Sequence, residues 1–170
     1  MDNRLHDRFR SGHDANEFVG NYLRAQGIPC EVPEMKLAQT EAEIIEFTEN
    51  EKDIILEDGS VIEVKSQSRV FSGVPSEYGW PTFIVDTLGF YGKKQRPLAY
   101  VFLSKETGEM LALNTNTHET WWRETITDRR DGIPSISLIS DKKNLRSMDA
   151  LIAYLKQRIR GGSNGTMDQA

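Results

Sequence analysis

One cysteine, Cys30, stands in 170 residues, so no internal disulfide can staple the chain and the cytoplasm is the expected compartment. No apolar run approaches the ~20 residues of a membrane span. The opening stretch, Met-Asp-Asn-Arg-Leu-His-Asp, has no apolar signal region. Histidine is scarce: His6, His13 and His118 are the three present, and His118 has no second histidine near it in sequence. Positive charge is also lacking. The net charge of −5 weighs against a strong non-specific nucleic-acid binder, which is usually basic. That deficit is local, however. Eight acidic residues fall between Glu41 and Asp58, more than the whole net charge. No internal repeat is visible.

What is present suits one globular domain. Hydrophobic residues make up 38% and charged residues 28%, and the length allows a sizeable core. We expect a domain over residues 1–160 and a disordered tail over 161–170, where Gly, Ser, Asn and Asp dominate.

The most informative stretch is 51–68, Glu-Lys-Asp-Ile-Ile-Leu-Glu-Asp-Gly-Ser-Val-Ile-Glu-Val-Lys-Ser-Gln-Ser. Two β-branched runs flank a Gly-containing turn, which is the pattern of a β-hairpin. A two-residue loop would pair Asp53 with Val64 and set a carboxylate beside a core residue on each strand. A three-residue loop pairs Asp53 with Glu63 and puts Gly59 where the left-handed conformation is needed. The second register separates Asp53, Ile55, Val61, Glu63 and Lys65 on one face from Ile54, Leu56, Ile62 and Val64 on the other.

Two acids facing each other at ~4.5–5.5 Å between Cβ atoms repel. Lys65 is close, but a hard divalent cation satisfies both carboxylates better. Mg²⁺ takes one or two carboxylates and keeps waters for a substrate phosphate. A lysine beside such a cation can orient water or neutralise charge on a phosphate.

Asp53 followed by Glu63-Val64-Lys65 across a hairpin resembles the core of the PD-(D/E)XK nuclease superfamily, with its restriction-endonuclease-like fold. The likeness runs from about Glu17 to Leu103; Lys52 stands where the family name expects proline. The resemblance implies that Asp53 and Glu63 ligate Mg²⁺ or Mn²⁺, with the Val64 carbonyl as a further oxygen, and that Lys65 assists phosphodiester hydrolysis. It also implies a glutamate on the first helix, and Glu17 matches by order and context.

The flanking segments fit the same frame. Residues 4–26 read as a helix with an apolar stripe of Ala15, Phe18, Val19, Tyr22 and Leu23; Ser11 or Asp14 can cap its better-defined part, and Gly27 ends it. In that helix Glu17 serves either the cap or the metal. Residues 30–40 read as loop and 41–48 as a first strand. The loop 69–80 follows the catalytic residues, so Tyr78 and Trp80 either stack on bases or plug the core. Residues 82–94 read as a short helix, with Asp86, Thr87, Tyr91 and Lys94 off its apolar side. Residues 98–104 read as a central strand buried on both faces. Strands at 109–113 and 135–139, a short helix at 117–123 and a closing helix capped by Ser147 complete the chain.

The expected fold is therefore α/β: a mixed central β-sheet flanked by helices, with an α-β-β-β-α-β core and a C-terminal extension. The expected function is a divalent-metal-dependent deoxyribonuclease, with DNA as partner and no membrane. Gln67, Tyr78 and Lys94 are candidate substrate contacts. The alternatives are a non-catalytic nucleic-acid-binding or assembly module on the same fold, and a Holliday-junction resolvase, which would add a homodimer.

Overall fold

The computed structural model describes residues 3–36, 39–40, 42–43, 46, 51–87, 95–127 and 132–161, with side chains from residue 11 onward. It is a mixed α/β structure. Helix α1 (Asn3–Ala25) leads into a short strand, β1 (Cys30–Glu31). The hairpin strands follow as β2 (Ile54–Leu56) and β3 (Val61–Gln67), then β4 (Thr82–Thr87), β5 (Ala99–Ser104) and β6 (Met110–Asn114). The chain closes with β7 (Trp122–Thr127), β8 (Pro134–Asp141), β9 (Leu145–Ser147) and helix α2 (Met148–Ile159). Among the described residues, no helix is long and apolar enough to cross a membrane.

The strands form a six-stranded sheet in the order β1-β2-β3-β5-β6-β9 and a three-stranded sheet in the order β4-β8-β7. Every described pairing is antiparallel except β3 with β5. That parallel pair sits mid-sheet and both strands are rich in buried residues, as a doubly covered parallel pair requires.

Alternation along the strands divides two cores. Ile54, Leu56, Ile62, Val64, Val101 and Leu103 point to one face, where Val19 and Leu23 of α1 and Leu151 and Leu155 of α2 cover them. Tyr100, Phe102, Leu111 and Leu113 point to the other, against Phe83, Val85 and Leu138 of the small sheet. Phe83 meets Phe102 edge-on at 5.1 Å between centroids. The result is three layers: helices, six-stranded sheet, three-stranded sheet.

The hairpin adopts the three-residue register: Ile54 pairs with Ile62, and Ile55 with Val61. The Leu56 N–H donates to the Ser60 carbonyl at 2.8 Å, and Gly59 has φ +80°. The turn is tied down from outside. Arg158 of α2 meets Asp58 at 2.6 Å, and Asp58 also accepts from the Ser60 hydroxyl and N–H. The Ser60 hydrogen bond, with Arg158 adding to it, pushes the Asp58 pKa down to about 2. Ser147 caps α2 as expected, accepting from the Ala150 N–H at 3.2 Å.

Several expectations are corrected. Residues 82–87 are a strand, not the start of a helix; residues 88–94 lie outside the described residues. Thr82, Ile84, Val85 and Thr87 are β-branched, and Phe83 and Val85 both turn inward, so period 2 wins over the helical stripe. Residues 42, 43 and 46, expected in a strand, are helical. Helix α1 begins at Asn3, so Ser11 and Asp14 lie within it and cap nothing. The expected helix at 117–123 is a 3₁₀ turn over Thr115–Thr120, after which β7 begins.

Gly59 sets the register that aligns the site. A Cβ there would meet no atom within 4 Å, so only backbone strain opposes a side chain. Gly59→Ala should cost roughly 1–2 kcal/mol and Gly59→Asn less, since asparagine tolerates the left-handed region better. Urea unfolding of the metal-free variants measures both; equal costs would point to packing instead.

Candidate active site

Three elements converge on the face of β3 that looks toward the small sheet. Glu63 and Lys65 project from that face, opposite Tyr100 and Phe102 of β5. Asp53 stands one residue before β2, on the same side as Glu63 by the hairpin register. Asp86 reaches in from β4.

Asp53 is half-buried as a residue but turns its carboxyl inward. One oxygen accepts from the Val64 N–H at 2.7 Å, the other from the Asn16 amide of α1 at 3.0 Å. Burial and then the Glu63 charge push its pKa up to about 7, although the Val64, Lys65 and Asn16 contacts pull the other way.

Lys65 lies between two acids. Its Nζ is 2.9 Å from Glu63 Oε1 and 3.1 Å from Asp86 Oδ1. Burial favours the neutral amine, but the two carboxylates more than offset that and hold the ammonium above its ordinary pKa. Asp86 is 8% exposed; its Oδ2 accepts the Tyr100 hydroxyl at 2.7 Å, and its Oδ1 also accepts the Thr87 N–H at 2.8 Å. Burial and Asp86 together raise the Tyr100 pKa, so the phenol stays a donor. The Lys65 ammonium also lies 5.9 Å from the Tyr100 ring centroid.

The position of Asp86 depends on a bulge. Ile84 pairs with Ile139, but Asp86 pairs with Leu138, which displaces the alternation after Val85. Val85 and Asp86 are consequently both buried, and Asp86 turns to the face that Leu138 shares with the core.

The remaining candidates divide. The Glu17 carboxylate engages Arg24 at 3.4 Å and His13 at 4.0 Å along α1; its neighbour Asn16 is the α1 residue that touches Asp53. Gln67 ends β3, where its carbonyl accepts the Lys105 N–H at 2.9 Å and its side chain lines a cleft beside Lys65. Tyr78 is corrected: at 3% exposure it packs against Phe71, Trp80 and Phe83, so it cannot stack on a base. Lys94 lies outside the described residues.

The sequence reading missed Asn16, Asp86 and Tyr100 as parts of the site. Asn16 shares a helix face with Val19 and Leu23, and a polar residue there is a signal for a buried partner. Tyr100 is the one hydroxyl-bearing aromatic in a buried apolar strand, where its O–H needs an acceptor.

Among the described residues, no group of three or more His, Cys, Asp or Glu side chains is spaced to hold a metal ion. The cluster nevertheless suits a hard cation. Glu63 and Asp86 share the Lys65 ammonium, and Asp53, held by the neutral donors Asn16 and Val64 N–H, stands beside Glu63 as a further oxygen donor. Mg²⁺ needs no more than one or two carboxylates from a protein.

Comparison with protein-family models, with curated proteins and with solved structures gives no match.

The raised Asp53 pKa has a measurable sign. A carboxyl that keeps its proton to about 7 when folded, against 3.8 ordinarily, stabilises the fold at low pH. That contribution is lost as pH rises from about 4 to about 7. Asp53→Asn removes the titration, and Asn16 can turn its amide to complement the new side chain. In EDTA the variant should therefore gain Tm relative to wild type as pH rises from about 5 to about 8. A pH-independent difference would mean that Asp53 is ionised throughout.

Proposed function

We propose that the protein is a divalent-metal-dependent deoxyribonuclease that hydrolyses phosphodiester bonds. The observation that carries this reading is the placing of Asp53, Glu63 and Lys65 in one charge-coupled cluster beside a cleft. The strand plan supports it further. An antiparallel β1-β2-β3 meander preceded by a helix, with β5 later parallel to β3, supplies part of the expected α-β-β-β-α-β order, although its first strand is Cys30–Glu31 rather than 41–48. The connection from β3 to β5 departs from that core by carrying β4.

Asp53 and Glu63 would hold Mg²⁺ or Mn²⁺, with the Val64 carbonyl as a further oxygen ligand. Such a cation lowers the pKa of bound water and offsets phosphate charge. Lys65 supplies positive charge for a phosphate and, held by Glu63 and Asp86, loses little freedom in doing so. Asn16 and the Val64 N–H orient Asp53; Tyr100 and the Thr87 N–H orient Asp86. From α1, Asn16 reaches Asp53, while the resemblance assigns to Glu17 a second metal or a metal-bound water.

A non-catalytic nucleic-acid-binding module is the second reading. One observation favours it: both Asp53 oxygens and the Lys65 ammonium already have partners within the protein.

Linear, circular, single-stranded and branched DNA, each with Mg²⁺, Mn²⁺ or EDTA, separate the two. Cleavage with either metal and silence in EDTA are expected; silence throughout at high protein concentration favours the binding module.

Lys65→Ala should lower turnover by roughly 10²–10³-fold, the scale of a removed charge-stabilising group. It should also leave Glu63 and Asp86 facing each other. The metal-free variant should lose roughly 1–3 kcal/mol, below a fully buried pair because the Lys65 side chain is 30% exposed. Calorimetric Mn²⁺ titration should show retained or tighter binding, since a neighbouring cation is gone. Near-normal cleavage would take Lys65 out of the mechanism.

A further inference from the structure

The cleft beside Lys65 is open, about 420 Å³, and runs from Lys65 and Asp86 past Gln67 to Arg69 and Lys105. At one end Lys65 is paired with Asp86, whereas the far end holds two cations, in a chain whose net charge is −5. Among the described residues, neither distal cation has a carboxylate partner. Arg69 donates from Nη1 to the Tyr78 hydroxyl at 3.0 Å, and its guanidinium lies 4.7 Å from the Trp80 ring centroid. Lys105, exposed on the turn after β5, donates to the Ser11 hydroxyl at 3.4 Å.

Arg69 is thus fixed by neutral groups. The Trp80 face and the buried Tyr78 set its direction, and among the described residues no carboxylate pairs with it. A preorganised guanidinium is suited to phosphate, which it grips through two parallel N–H donors. Lys105 adds a mobile point charge. Four residue steps separate Lys65 from Arg69, at most about 13 Å. A nucleic-acid strand advances about 3.4 Å per nucleotide along a helix axis, so the span matches a few nucleotides.

We infer that Arg69 and Lys105 form a phosphate-anchoring subsite that holds the nucleic-acid backbone a few nucleotides from the scissile bond. Base identity plays no part, because the anchoring groups are cationic and the one buried aromatic beside them, Tyr78, is not presented to a base. The inference rests on the phosphodiester reading of the site, but its test does not require turnover.

The experiment is fluorescence anisotropy of a labelled single-stranded oligonucleotide and its duplex, in EDTA and again in Ca²⁺, over a series of salt concentrations. Wild type, Arg69→Gln, Lys105→Gln, the double variant and Arg69→Lys are compared, with Tm as the folding control. Each single Gln variant should reduce the slope of log K against log salt by about 0.7–0.9, and the double variant by about twice that. Arg69→Lys should keep the slope yet bind several-fold more weakly. Lys105 is exposed, so Lys105→Gln remains informative if Arg69→Gln fails to fold. Unchanged slopes, or no binding by wild type in either buffer, overturn the subsite. Cleavage by wild type with unchanged slopes removes only the subsite; salt-dependent loss in the variants without cleavage removes only the nuclease. Equal losses toward polyglutamate would assign the cleft to acidic peptides and overturn the inference too.

Discussion

A charge that leaves water must find an opposite charge, and around Lys65 this constraint organises both sheets. The ammonium sits between Glu63 on its own strand and Asp86 on the small sheet. Both acids raise its pKa against burial, and Asp86 in turn accepts from the Tyr100 hydroxyl and the Thr87 N–H. The chain of contacts runs from β3 through β4 to β5. It joins the six-stranded sheet to the three-stranded one by polar contacts at the site, and by Phe83 on Phe102 in the adjoining core. Removing one partner leaves the others buried without compensation.

Asp53 differs in kind. Its neighbours are neutral donors rather than a cation, and the Asn16 and Val64 hydrogen bonds do not overcome burial and the Glu63 charge. The two ends of the cluster therefore behave differently: one is a closed ion-pair network, the other a carboxyl that gains from a positive charge brought from outside. The β3 N–H that holds Asp53 belongs to Val64, whose side chain lies in the helix-side core, so packing of that core fixes the carboxyl indirectly.

The hairpin was legible in the sequence because its turn chemistry is local. Gly59 in the left-handed region allows one register, and that register separates the acids from Ile54, Leu56, Ile62 and Val64 without reference to the rest of the chain. The apolar run 98–104 was legible because burial on both faces leaves a continuous pattern. Asp86 was not, because its orientation is a non-local effect. The bulge after Ile84 exists only in the pairing with β8, more than fifty residues away, and simple alternation would have left Asp86 on the outer face with Ile84. The segment 82–87 also satisfied a helical stripe, and only the partner strand decides between the two periods. Pro81 suits the first turn of a helix, yet here it precedes a strand, and Tyr78 was ambiguous because an aromatic in a Gly-rich loop has no periodicity to place it.

The parallel pairing of β3 with β5 governs the order in which the molecule can assemble. The hairpin closes through a three-residue turn, a contact reached quickly by any chain. Its partner strand begins at Ala99, beyond a connection of some thirty residues that includes β4, itself waiting for β8 near residue 138. Such sequence separation raises contact order and slows folding. On a ribosome the acidic hairpin would emerge well before Tyr100, Leu138 or the Arg158 that ties its turn to α2. Until those arrive, Asp53 and Glu63 remain in water, where their mutual repulsion is small. The electrostatic tension of the site is imposed only by the last half of the chain, at the moment that half closes over it.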